Sequence, residues 1–394
     1  MISKRIQNIV PSATTALTAK LAEMRAAGAD VIGFNVGEPD FATPKPIADR
    51  AYEAICEGKT KYEPVAGILS LRKAICRKLA DDNGLSYQPN QIVVSTGAKL
   101  ALFNALMALC DDGDEVILPI PCWVSYVELI KLAGGVPVLV KTAPDYSLDL
   151  QAIEEAITPK TKVILLNTPN NPTGAVYSEG SLRSLGKMAE EKGLYIISDE
   201  VYEKLVYGDA KHFSIAQTSE YCYEHTIVVN GMSKAFSMTG WRIGYTASTP
   251  EIAKGIIALQ SHVTSHSTSF VQYASVTALQ ECAEYVETMR KAFEERRNLM
   301  HARLTAMEGV HCSMPDGAFY LMPDISCYLG KSYEGKVMEN SMDLCDFLLT
   351  VGGIAVVPGD AFYMPGTVRF SYATSVENIG EGMARMEKAL KLLK

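Results

Sequence analysis

One run of the chain pairs an amine with a guanidinium in a way that suits covalent chemistry. It reads Gly231-Met-Ser-Lys234-Ala-Phe-Ser-Met-Thr-Gly240-Trp-Arg242-Ile-Gly244, with lysine and arginine eight positions apart. A lysine amine is nucleophilic at neutral pH only when it is desolvated or set near other cations. An arginine beside it suits a phosphate, whose oxygens accept the planar two-donor fork. Pyridoxal 5′-phosphate carries an aldehyde and a phosphate on one pyridine ring and would use both groups. The competing reading makes Lys234 and Arg242 a solvated pair on a loop.

Other chemistry-bearing residues follow short apolar runs. They are Ser95-Thr-Gly97, Asn167-Thr-Pro-Asn170-Asn171-Pro-Thr-Gly174, Asp199-Glu-Val-Tyr202 and Asn230-Gly-Met-Ser233-Lys234. The runs themselves read as strands: Gln91–Ser95, Glu115–Leu118, Val136–Val140, Lys162–Asn167, Leu194–Ser198 and Thr226–Asn230. Helical patterns fall at Gly97–Cys110, near Trp123–Ala133 and at Ser178–Lys192. Continuous apolar strands separated by helices predict an α/β fold with a mostly parallel sheet covered on both faces. In such sheets ligands bind at the carboxyl ends of the strands, so these polar residues should share one crevice. The C-terminal third changes character. Charged helical patterns around 283–307 and 376–394 flank shorter strands, which predicts a second, smaller α+β domain.

These motifs, in the order N-P-T-G, S-D-E-x-Y, S-K and R-I-G, resemble the class I, fold-type I aminotransferases. The likeness is strongest to bacterial aspartate aminotransferases of the branch with a lysine at the phosphate loop. It runs from Pro11-Ser-Ala-Thr14 to Ser371-Tyr-Ala-Thr374. It implies a mostly parallel seven-stranded sheet in a large domain, residues 43–288, and a small domain built from 1–42 and 289–394. It also implies pyridoxal 5′-phosphate as cofactor and a ping-pong transfer, with Lys234 as the Schiff-base lysine and proton shuttle. Asp199 would pair with the ring nitrogen, although a strand-end Asp can also be a helix cap. Tyr202 and Asn171 would bond the ring hydroxyl oxygen, and Trp123 would stack on the ring or else sit in the core. The phosphate would rest on Gly97, Ala98 and Lys99 at a helix start, where free N–H groups attract anions. Ser233 and Arg242 would complete the cup, and Tyr62 would reach the phosphate of a partner subunit. That last role implies a homodimer with shared active sites. Ser95 would shape the phosphate turn, and Cys122 stands where the family often has tyrosine.

Substrate recognition follows from the same resemblance. Arg369, in Val-Arg369-Phe-Ser-Tyr-Ala, would fork onto the α-carboxylate, with the Gly37 backbone and Asn171 on its other side. Lys99, beside Trp123, would take the distal carboxylate of aspartate or glutamate; alternatively it only lines the phosphate loop. The stretch Ser261–Ser269, where some relatives place an arginine for that carboxylate, holds no Arg or Lys. An ammonium binds a carboxylate less rigidly than a guanidinium. Broad-specificity or aromatic/prephenate transamination, or C–S lysis on the same fold, are therefore the alternatives to aspartate transamination with an acceptor such as 2-oxoglutarate. A cofactor-sensing regulator would need an added DNA-binding module.

Composition narrows the partners. The 394 residues carry 37 Lys+Arg against 45 Asp+Glu, a net charge of −8. That balance argues against nucleic acid or an anionic membrane as main partner. Nine scattered cysteines, with no C-x-x-C pair, read as reduced, mostly core thiols of a cytoplasmic protein rather than a disulfide frame or zinc site. The N-terminus lacks the apolar run of a signal peptide, and no segment approaches the ~20 apolar residues of a membrane span. His262 and His266 sit four apart, as two ligands on one helix face could, but no metal is expected. Two S-x-x-K matches, at Ser70 and Ser184, lack their companion motifs. The methionines of Met338–Met342 read as packing.

Overall fold

A computed structural model describes residues 2–11 and 13–394; Ser12, in the Pro11–Thr14 run, and Met1 lie outside the described residues. The expected sheet is present. Its strands are β1 (Ile92–Ser95), β2 (Glu115–Ile120), β3 (Val136–Lys141), β4 (Thr161–Asn167), β5 (Tyr195–Asp199), β6 (Thr226–Gly231) and β7 (Gly244–Ala247). Their spatial order is β1-β7-β6-β5-β4-β2-β3. Only β7 runs antiparallel, between β1 and β6. The sequence reading did not anticipate this strand, because its start lies inside the lysine–arginine motif.

Alternation along the strands separates two packed faces. Val163, Leu165, Ile197, Ile227 and Val229 join one cluster, and the intervening Ile164, Leu166, Ile196 and Val228 join others. Helices α1 (Lys45–Cys56), α2 (Leu69–Asn83), α3 (Ala98–Leu109), α4 (Ser125–Leu132), α5 (Glu179–Lys192), α6 (Pro250–Val263) and α7 (Ser269–Glu281) belong to this region. Local signals fix several ends. The Ser178 hydroxyl caps α5 by accepting from the Ser181 N–H at 3.1 Å, and Gly193 closes it in the left-handed region.

A separate apolar cluster takes Ile32 and Phe34 from one chain end and most of its residues beyond Met289 from the other. Helix α8 (Ala283–Thr305) passes between the two: Val286 packs with the sheet region, Met289 with the C-terminal cluster. Strands β8 (Tyr320–Leu321), β9 (Val357–Pro358) and β10 (Val368–Ser371) form a small antiparallel sheet there, and α9 (Val376–Leu390) covers the cluster.

Two expectations need revision. Helix α6 ends at Val263, so His266 lies beyond it and the two histidines share no helix face. The His266 ring instead accepts the Glu63 N–H at 3.2 Å. Met338 is buried, but Met342 is exposed. All nine cysteines are free, five of them buried. Among the described residues no helix is long and apolar enough to cross a membrane.

Candidate active site

Pairing register aligns the polar strand ends. Ser95 and Gly231 both oppose Gly244, and Asn167 lies beside Asp199. Beyond this edge opens a cavity of about 410 Å³, lined by Lys99, Trp123, Asn171, Asp199, Lys234 and Arg369, among others. Ala98, Tyr202, Ser233, Arg242 and Gly37 also face it. Four segments distant in sequence therefore meet at one place, as the strand-end argument anticipated.

At one end the lining is cationic. Gly97 caps α3 with φ +84°, and a Cβ there would lie 2.5 Å from the Arg242 guanidinium. Only glycine permits this approach. Ala98 and Lys99 open the helix, where backbone N–H groups have no partner within it. Burial, then the charge of Arg242, pushes the Lys99 amine below its ordinary pKa; its Nζ lies 4.7 Å over the Trp123 ring. Ser95 points away and donates to Gln260 at 2.6 Å, so it shapes the turn and does not line the cavity.

Deeper in, Asp199 ends β5. Tyr126 donates to its carboxylate at 2.7 Å, and the Val201 N–H at 3.3 Å. Burial raises this carboxyl to about 6, against the lowering effect of those two donors. The Asn167 amide ties the neighbouring strand to the Asp199 carbonyl at 3.1 Å and accepts the Asn171 N–H at 2.8 Å. Lys234 donates to the Gly37 carbonyl at 2.6 Å. Burial brings its amine down to about 8, with Glu38 and Asp199 opposing and Arg369 and Arg242 assisting. Such an amine loses its proton near neutrality, as a nucleophile requires.

The third side comes from the C-terminal region. Buried Arg369, on β10, donates to Asn171 Oδ1 at 3.0 Å and to the Asn35 carbonyl at 2.7 Å. Its Nε is buried without a partner, and the guanidinium lies 4.6 Å over the Tyr320 ring. The Tyr320 and Tyr202 hydroxyls share a 2.8 Å hydrogen bond. A Cβ on Gly37 would meet the Tyr320 hydroxyl at 2.7 Å, so glycine here is steric rather than a plain turn.

Tyr62 is not brought to this cavity. It is 92% exposed, with its ring edge-on to His266 at 5.7 Å. Sequence reasoning missed Tyr126, Asn35 and Tyr320. Asn167 was grouped with the polar strand ends but given no role. Tyr126 sits inside an apolar helix and Tyr320 on a two-residue strand, so neither stands out by pattern.

The arrangement fits a phosphate-bearing aldehyde on a basic ring. A helix start with Arg242 and Ser233 suits the phosphate, and Lys234 the aldehyde. Asp199, hydrogen-bonded by neutral donors alone, suits a protonated ring nitrogen. Comparisons with known proteins agree. The model of the family described as aminotransferase class I and II matches residues 29–386. The aspartate aminotransferase of Bacillus sp. (strain YM-2) is 45% identical, with 99% of each chain covered. A probable aspartate/prephenate aminotransferase of Aquifex aeolicus is 47% identical, over 99% of this chain and 98% of that one. Among solved structures, the aspartate aminotransferase of Thermus thermophilus with maleate superposes with a TM-score of 0.93 at 42% identity, covering 99% of both chains.

Proposed function

Since the chain belongs to the class I and II aminotransferases, we propose how its own residues carry that reaction and on which substrates. It is a pyridoxal-phosphate-dependent enzyme that moves an amino group from an amino acid to a 2-oxo acid. When bound, the cofactor supplies an electron sink for charge developing at the substrate α-carbon.

The residues then divide the work. Lys234 would hold the cofactor and move the proton at the substrate α-carbon; an amine near pKa 8 is suited to both roles. Asp199 holds the ring nitrogen in its charged form. Tyr202 and Asn171 orient the ring hydroxyl, and Trp123 covers one face. Gly97, Ala98, Ser233 and Arg242 hold the phosphate. Arg369 forks onto the substrate α-carboxylate, using the Nε now without a partner, with Gly37 and Asn171 shaping the other side. Lys99 takes the distal carboxylate. Aspartate, with glutamate as the near alternative, is the donor we assign. The names of the similar proteins support it, and a cation lining the cavity supports a dicarboxylate.

We further take residues 43–288 as the cofactor domain and 1–42 with 289–394 as the small one, since apolar partners change along α8 between Val286 and Met289. We assign a homodimer in which Tyr62 of one protomer serves its partner's phosphate, a role its exposure leaves open. Nine unpaired thiols support a cytoplasmic setting.

One observation carries the reading: Lys234 and Arg242, from one run, converge on one cavity with Asp199 and Arg369 from two others. Adding pyridoxal phosphate to the chain produces a visible band that aspartate shifts and that Lys234→Ala lacks. A panel of donors with 2-oxoglutarate then ranks aspartate and glutamate first. Failure of every donor to shift the band overturns the reading.

A further inference from the structure

Four residues after Asp199, beyond the buried Glu200, another buried carboxylate lies on the far side of the same turn. Glu203 accepts from Asn83 at 2.9 Å and from Asn230 at 2.8 Å, and it pairs with Lys78. Lys78 in turn donates to Asn83 at 2.7 Å. Both ionic side chains are nearly closed to solvent, 9% exposed for Lys78 and 6% for Glu203. Burial alone would raise the Glu203 carboxyl, but Lys78 first, then His212 and Asn83, hold it at about 2.

Glu200, Glu203 and His212 bring ligand-type atoms within 4.8 Å of one another. Protein donors already occupy every carboxylate oxygen of the group. Ser198 and Ser214 serve one oxygen of Glu200, and His212 faces the other. Lys78 and Asn230 serve one oxygen of Glu203, and Asn83 the other. Each carboxylate oxygen thus has a protein partner, although His212 Nδ1 is buried without one, and the meaning of Glu203 lies in what it connects.

Glu203 follows Tyr202 directly, and its N–H bonds the Glu200 carbonyl at 3.0 Å. Asn230 stands four residues before Lys234, and its Oδ1 accepts the Gly231 N–H at 2.7 Å. One amide therefore spans the turn bearing Asp199 and Tyr202 and the loop bearing Lys234. The surroundings leave little room for that loop to drift. A Cβ on Gly231 would lie 2.9 Å from the Ile243 carbonyl, and one on Gly244 would collide with the start of α3.

We infer that Glu203, braced by Lys78 and Asn83, acts through Asn230 as a positioning unit that sets Lys234 against Asp199 and Tyr202. The inference rests on the aminotransferase reading above. In the holoenzyme, Asn230→Ala removes the arm to the lysine loop and leaves the Lys78–Glu203 pair in place. The midpoint of the pH titration of the visible cofactor band should move by about half a unit or more. kcat should fall about tenfold, while KM for the amino acid stays within about twofold. Asn230→Ser, a smaller cut that leaves a hydroxyl near the Gly231 N–H, is measured in parallel and should shift the midpoint in the same direction. Unchanged midpoint and kcat in the two folded variants overturn the inference. So does failure of both to fold, since the unit would then serve folding alone. A wild-type chain that shows no band with pyridoxal phosphate overturns the aminotransferase reading and this inference with it.

Discussion

Asp199 and Glu203 sit on one turn, are both buried, and are pushed in opposite directions. Asp199 faces the cavity with neutral donors around it, and burial lifts its carboxyl to about 6. Glu203 faces α2, where Lys78 more than offsets burial and holds it at about 2. Burial is common to both, so the partner decides the sign. A carboxylate folded in without its own cation is prepared for one that arrives with a ligand. A carboxylate folded in with a cation is part of the frame. Lys99 is the cationic counterpart of Asp199: it lines the cavity with its pKa lowered by burial and Arg242 and, among the described residues, no acid pairs with it, so it is prepared for an anion.

If this contrast is right, neutralising the two acids has different consequences. Asp199→Asn should lower kcat about 10³-fold, roughly 4 kcal/mol in the barrier, and leave the stability of the cofactor-free protein equal or higher. Steady-state rates and urea titrations of one preparation measure both; a large stability loss would place Asp199 in the frame with Glu203. Glu203→Gln should cost about 3 kcal/mol of stability, because the nearly buried Lys78 then keeps only the part-exposed Asp82, 3.7 Å away. Urea unfolding reads this, and a loss under about 1 kcal/mol would break the contrast from the other side.

The pH dependence of the cofactor-free protein should carry opposite slopes. For Asp199 the folded pKa lies above the unfolded one, so the native state binds more protons between about 4 and 6. Stability relative to Asp199→Asn should then fall as pH rises through that window. For Glu203 the folded pKa lies below, so its contribution is complete above about 4.5 and is lost as pH falls toward about 2. Equal slopes for the two variants would contradict the assignment of partners. The smallest effect concerns substrate choice. Lys99→Ser should raise KM for aspartate about tenfold, near 1.4 kcal/mol, and KM for alanine less than about twofold. Equal changes for both amino acids would leave Lys99 with the phosphate alone.

The convergence of Ser233, Lys234 and Arg242 with the start of α3 was the most legible part of the site. They belong to short runs next to strand ends, where local spacing and the parallel-sheet rule predict one crevice, while their separate roles came from resemblance. The fold was readable for a similar reason: apolar strands of β1 to β6 alternate with helical patterns, while β7 was hidden by residues that also serve the site. Arg369 and Gly37 were identified only through family resemblance, since nothing local joins them, and Asn171, grouped with the strand ends, took its role from the same source. Tyr126 and Tyr320 left no pattern at all, one within an apolar helix and the other on a two-residue strand.

From the order of residues alone follow the fold class, the cofactor chemistry and the edge of the sheet where it takes place. These depend on periodicity and on groups a few positions apart, which covalent geometry keeps together. Folding settles the charge states and partners. Nothing in the spelling S-D-E-V-Y-E says that the aspartate is left to a ligand and the second glutamate is claimed by Lys78. Those outcomes depend on which distant donors arrive at each oxygen and how much water is excluded there, and both are properties of the packed chain.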